Sequence, residues 1–164
     1  MIERIVSGGQ TGVDRGALDA ALELGVPCGG WCPKGRRAED GRLESRYPLR
    51  ETSSPRYPQR TEWNVRDSDG TLVLARGALR AGSALTVELA RRRAKPWLVV
   101  DLTREGGGQA VPDVVAWIHR HAVKVLNVAG PRESENPGIH AQAIAFVRDL
   151  VLLDRGGLLP SSPT

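Results

Sequence analysis

The chain has little of what several function classes require. Its 164 residues include two cysteines, Cys28 and Cys32. Two are too few for a disulfide framework, and with no histidine close by they make a poor zinc site. The three histidines, His119, His121 and His140, are scattered, and no nucleophile stands beside a base, so neither a triad nor covalent catalysis is expected. No apolar run approaches the ~18 residues of a membrane span. Glu3 and Arg4 sit where a signal peptide would need an apolar segment. These absences describe a cytoplasmic protein with reduced thiols and no membrane partner.

Lysine is also scarce, with 3 against 20 arginines, and the net charge of +4 is unevenly placed. Between Lys34 and Arg60 lie eight basic and four acidic residues, so the rest of the chain is neutral. This stretch is either a solvated arginine-rich loop or a basic flap over an anionic ligand. Glu39, Asp40, Glu44 and Glu51 interrupt it, and no helix-turn-helix or zinc-finger pattern accompanies it, so nucleic acid is not the expected partner.

What is present reads as one α/β domain over residues 1–159, with a loose tail at 160–164. Five apolar runs predict buried parallel strands at Arg4 to Ser7, Pro27 to Trp31, Thr71 to Ala75, Trp97 to Asp101 and Val125 to Ala129. Helical patterns alternate with them, at about Val13 to Leu24, Ser83 to Ala94, Pro112 to His121, and from Pro137 to Gly156-Gly157. Thr11 is the expected cap of the first helix, with Asp14 three residues on. Ser83 is the expected cap of the second. Asn136 caps the fourth, which Pro137 opens. Alternation of this kind implies a Rossmann-like, three-layer α/β/α domain around a mostly parallel sheet of about five strands, with ligands bound beyond the strands' C-terminal ends. A long irregular segment, roughly Cys32 to Asp69, separates the second and third strands, and its Tyr47-Pro48, Tyr57-Pro58 and Trp63 point to an ordered flap rather than a free linker.

Four loops leave that edge. Gly8-Gly9-Gln10-Thr11-Gly12 joins a strand to a helix and aims backbone N–H groups at one spot, which suits a phosphate-binding loop. Its spacing is not that of a dinucleotide fingerprint, and it has no Walker lysine. The alternative is a tight turn shaped by glycine. Gly82-Ser83 opens a second helix start, as an anion site or as an ordinary capped turn. Gly130-Pro131-Arg132-Glu133-Ser134 offers a guanidinium fork and a hydroxyl. Trp31, Lys34 and Arg36 open the flap, either as a stacking surface with two cations or as a core tryptophan with two solvated charges.

Taken together, Ser7-Gly8-Gly9-Gln10-Thr11-Gly12-Val13-Asp14, Gly30-Trp31-Cys32-Pro33-Lys34-Gly35-Arg36-Arg37-Ala38-Glu39-Asp40-Gly41, Arg60-Thr61-Glu62-Trp63-Asn64-Val65, Ser68-Asp69-Gly70-Thr71 and Asn127-Val128-Ala129-Gly130-Pro131-Arg132-Glu133-Ser134 resemble the molybdenum-carrier (molybdenum-cofactor carrier) family. That family is a circularly permuted branch of the Rossmann-like, nucleotide-binding superfamily that includes the lysine decarboxylase-like phosphoribohydrolases. The resemblance implies a homo-oligomer, a dimer or tetramer, that binds and protects or carries molybdenum cofactor (molybdopterin) and passes it to molybdoenzymes. By the same resemblance, Gly9 to Gly12 and Gly82-Ser83 would hold phosphate, while the flap and Arg132 to Ser134 would meet the rest. No protein ligand to the metal and no catalytic group are implied, because the cofactor's own dithiolene sulfurs hold its metal. Two alternatives stay open. One is a nucleoside-monophosphate phosphoribohydrolase, whose P-G-G-x-G-T-x-x-E motif is met only at Gly82 and Glu88. The other is a non-catalytic nucleotide-sensing module.

Overall fold

In chain order the elements are β1 (Arg4–Val6), α1 (Val13–Glu23), β2 (Cys28–Gly29), β3 (Trp31–Cys32), β4 (Arg37–Ala38), β5 (Gly41–Arg42), β6 (Arg50–Glu51), α2 (Tyr57–Arg66), β7 (Gly70–Ala75), α3 (Ala81–Arg92), β8 (Trp97–Asp101), a 3-10 turn (Glu105–Ala110), α4 (Val111–Arg120), β9 (Val125–Ala129) and α5 (Ile139–Asp154). The structure is a computed structural model and describes residues 1–103 and 105–157. The tail expected at 160–164 lies outside the described residues.

The main sheet has five strands in the order β2-β1-β9-β7-β8, and every pair is parallel. This is the expected α/β architecture. β7 (Gly-Thr-Leu-Val-Leu-Ala) is buried along its whole length, as a strand covered on both faces must be. Polar side chains in the central strands find partners across the ladder. Ser7 Oγ donates to Val128 O at 2.6 Å, and Asn127 Nδ2 donates to Thr71 Oγ1 at 3.2 Å. The sheet runs from β1 to β2 in one direction and from β7 to β8 in the other. Right-handed crossovers therefore put α1 and α3 on opposite faces. α4 and α5 join α1 over one core, which includes Ile5, Ala17, Leu72, Ile118, Leu126 and Leu150. α2 packs beside α3. The crevice where the two directions part lies beyond the ends of β1, β9 and β7.

Several boundaries differ from expectation, for identifiable reasons. The second strand is cut to Cys28–Gly29 because Gly30 turns the chain at φ +125°, so close to β1 that a Cβ there would lie 2.3 Å from Ser7 O. Trp31 and Cys32 then leave the sheet and pair with Arg50 and Glu51. The flap is not irregular. It holds that pair, a small β4–β5 hairpin and helix α2. Leu43, Tyr47 and Leu49 bury themselves against Leu18 and Cys32 in a second core beneath it. At roughly 1.5–3 kcal/mol for a fully buried apolar side chain, that core is ample to order a loop. α2 left little trace in the sequence because Asn64 and Val65 are its only buried residues. Neither Thr11 nor Ser83 caps a helix. α1 starts behind Gly12, and α3 starts two residues early, behind Arg80; neither has a side-chain cap. α5 likewise begins at Ile139 behind Gly138, not at Pro137.

Candidate functional site

Three N–H groups of the Gly8 to Asp14 turn are taken up by the chain itself. The Gln10 N–H donates to Asp14 Oδ2 at 3.4 Å, the Thr11 N–H to Gln10 Oε1 at 3.0 Å, and the Val13 N–H to Pro131 O at 3.2 Å. The cradle expected to face an outside anion is thus partly filled by the chain's own Asp14, which is 2% exposed. Burial pushes the Asp14 carboxyl up from its usual value, while the Arg60 guanidinium, 2.7 Å away, pulls it back. The glycines let this pair close. A Cβ on Gly8 would lie 1.6 Å from Arg60 Nη1, and one on Gly12 (φ +78°) would lie 2.4 Å from Pro131 O. Arg60 is far along the chain in the flap. The signal that could have found it is Asp14 itself: a carboxylate on the buried side of an apolar helix needs a cation from elsewhere.

Beside this pair opens a cavity of about 330 Å³. Ala81, Gly82 and Ser83 of α3 form one wall, and Tyr57, Pro58 and Thr61 of α2 the other. Ala129 and Gly130, where β9 ends, line it between them, together with Gln10, Asp14, Arg60, Arg132 and Glu135. The α3 wall is electropositive for a backbone reason. The first helical N–H bond of α3 runs from Ala84 to Arg80 O, so the N–H groups of Ala81, Gly82 and Ser83 have no acceptor within the helix. The helix dipole adds partial positive charge there.

Two guanidiniums flank the Tyr57 ring, with Arg132 5.0 Å and Arg60 5.8 Å from its centroid. Among the described residues Arg132 forms no ion pair. Among the described residues, Gln10 Nε2 and Arg60 Nε are buried and have no hydrogen-bond partner. The cavity thus offers the open N–H groups of α3 and two guanidiniums beside one aromatic ring, with the Asp14 and Glu135 carboxylates also in its lining. Such a site can take an oxyanion joined to a flat group. Of the site residues named from the sequence, the structure brings Gln10, Gly82, Ser83, Gly130 and Arg132 together around this cavity.

The remaining expected site residues lie elsewhere. Gly8 and Gly9 pack under Arg60 and under Leu43 and Leu49 respectively. Thr11 and Ser134 grip the flap. Both hydroxyls donate to the Glu39 carboxylate, Ser134 Oγ at 2.5 Å, and the Ser134 N–H adds a third bond at 3.3 Å. Glu133 caps α5, accepting the N–H groups of Gly138 at 2.5 Å and His140 at 2.9 Å. Arg36 spends its guanidinium on the flap's own carbonyls, those of Leu43, Glu44, Tyr47 and Leu49, at 2.8–3.3 Å. Lys34 is exposed and does not line the cavity. Trp31 sits edge-on to Trp63 and donates its Nε1–H to Asp67 at 2.7 Å. The ring that meets the cavity is Tyr57, which the sequence offers as part of an ordered flap and not as a site residue.

Burial pushes the Cys28 and Cys32 thiols up, against the pull of Arg4 and Arg36 respectively. Protonated thiols are poor nucleophiles and metal ligands. Among the described residues, no three His, Cys, Asp or Glu side chains gather as a metal site, and no helix is long and apolar enough to cross a membrane. Glu88, the residue a phosphoribohydrolase would need, pairs with Arg91 and Arg92 at 2.7 Å each and lies outside the cavity.

The fold and crevice define a Rossmann-like α/β protein with a cavity at the C-terminal edge of its sheet. The sequence model of the circularly permutated YpsA SLOG family matches residues 5–151, and the chain belongs to that family. It is similar to a solved structure, that of the "Putative molybdenum carrier protein" from Syntrophus aciditrophicus SB. The two are 45% identical and superpose with a TM-score of 0.88, covering 92% of this chain and 95% of the other. No curated protein matches the chain.

Proposed function

We propose that this protein binds an anionic cofactor in the cavity between α2, α3 and the Gly130 to Glu135 loop, and that its cargo is molybdenum cofactor. The observation that carries this reading is the cavity's set of donors: the open first turn of α3 and an Arg132 that forms no ion pair among the described residues lie beside the Tyr57 ring. Its volume of about 330 Å³ is near the lower end of the roughly 300–1,000 Å³ usual for small-molecule sites. That suits a single heterocycle with one phosphate better than a dinucleotide.

The cargo brings a phosphate, a flat pterin and an oxo-metal centre held by its own sulfurs. The N–H groups of Ala81 to Ser83 and Arg132 would hold the phosphate, and Tyr57 would back the pterin. The chain then acts by holding and shielding, in a homo-oligomer that hands the cofactor to a molybdoenzyme. The 45% identity to a protein described as a molybdenum carrier supports the choice of cargo.

The test is protection. Purified protein is mixed with molybdenum cofactor released from a molybdoenzyme, and the surviving cofactor is followed in air. Wild type should slow its oxidation, and Arg132→Ala should lose most of that protection. Release of free base from adenosine monophosphate would instead make the protein a hydrolase. A melting-temperature rise with nucleotide but not with cofactor would make it a nucleotide sensor.

A further inference from the structure

Gln10 belongs to both the cavity and the flap. It is 4% exposed and lines the cavity. Its Oε1 accepts two backbone N–H groups, from Thr11 at 3.0 Å and from Glu39 at 2.8 Å. Two donors on one oxygen fix which end of the amide is which. Nε2 is left as the free end, buried with no partner among the described residues. A buried donor in that condition is unfavourable until an acceptor reaches it. Glu39, on the other side of the same amide, does not line the cavity. Its carboxylate is clasped by Thr11 and Ser134. Partial desolvation works against its charge, but those bonds outweigh it and hold the carboxyl below the usual range.

We infer that Gln10 couples the cavity to the Arg37–Arg42 hairpin: a cargo that accepts a hydrogen bond from Gln10 Nε2 tightens the flap, and the Glu39 clasp in turn tightens the cavity around its cargo. Glu39 is then a positioning residue, acting on a ligand through Gln10. The inference rests on the reading that the cavity holds molybdenum cofactor. Coupling between two such sites is reciprocal and typically changes affinity about 5–150-fold.

The experiment measures cofactor affinity and hydrogen exchange of residues 37–42 in wild type, Gln10→Glu and Glu39→Ala. In wild type, bound molybdenum cofactor should slow exchange of the Glu39 amide roughly tenfold or more. Glu39→Ala removes an exposed carboxylate, so the fold should survive, yet the cofactor Kd should rise by about tenfold or more. In Gln10→Glu a carboxylate can still accept both N–H groups but cannot donate. Its flap should exchange slowly without cofactor, while the cofactor-dependent slowing disappears. If wild type binds cofactor but Glu39→Ala binds as tightly, or if exchange at 37–42 ignores the cofactor, the coupling is refuted while the cavity reading stands. Failure of wild type to bind cofactor would overturn both. Should Gln10→Glu not fold, Glu39→Ala alone decides between these outcomes.

Discussion

Replacing Arg60 with methionine tests how the site is built. The substitution keeps most of the apolar volume and removes the guanidinium. Asp14 and Arg60 meet at 2.7 Å with side chains 3% and 13% exposed, so solvent screens them little. Removing one partner of a buried pair leaves an uncompensated charge and costs about 3–5 kcal/mol. For a domain of this size that lowers Tm by roughly 6–20 °C. The pH dependence has a definite sign. The folded Asp14 carboxyl is already raised above its usual value of 3.8 by burial. Between the unfolded and folded pKa values the native state holds more protons, so stability is fully present below the unfolded value and declines as pH rises through the folded one. Arg60 opposes the rise, so without it the folded pKa climbs further and the window widens upward. Urea unfolding should therefore show a smaller deficit for Arg60→Met at pH 5 than at pH 8. Adding Asp14→Asn should recover part of the loss at pH 8, because no charge is then buried. A loss under about 1 kcal/mol at both pH values, far short of that for a broken buried pair, or a double variant no better than the single one, would refute the reasoning.

Two further outcomes follow from the same geometry. Tyr57→Leu should weaken molybdenum-cofactor binding about 2–30-fold through loss of the ring and its cation contacts, whereas Lys34→Ala and Trp31→Phe should leave the measured Kd essentially unchanged. Gly12→Ala should lower stability by about 1–3 kcal/mol or more in urea unfolding, because its φ of +78° and the 2.4 Å approach of Pro131 O leave no room for a Cβ.

The strand–helix alternation was plain in the chain because buried parallel strands are nearly unbroken apolar runs. Each of the five predicted strands has its counterpart in the sheet. α2 was not legible, since a helix that buries only Asn64 and Val65 carries no apolar stripe. The candidate site was half legible. Gly82, Ser83, Gly130 and Arg132 follow strand ends, and strand ends can be read from hydrophobicity. Tyr57 and Arg60 reach the cavity from the flap, and nothing local to residues 57–60 says where the flap folds back. The glycine-rich turn is ambiguous in the sequence for a related reason. Glycine marks close approach of backbone, and here what approaches Gly8 and Gly12 is Arg60 and Pro131. Arg36 and Trp31 have the chemistry of site residues, but that chemistry is spent on the flap's carbonyls and on Asp67.

The central claim is that cargo sits at the α3 end of the crevice and not in the glycine-rich turn. The most direct measurement is a crystal structure of the protein grown with molybdenum cofactor. The account expects the phosphate within hydrogen-bond distance of the Ala81 to Ser83 N–H groups and the Arg132 guanidinium, with the pterin against Tyr57. Cofactor seated on Gly9 to Gly12 with the Asp14–Arg60 pair broken, or no cofactor in the cavity at saturating concentration, would contradict it.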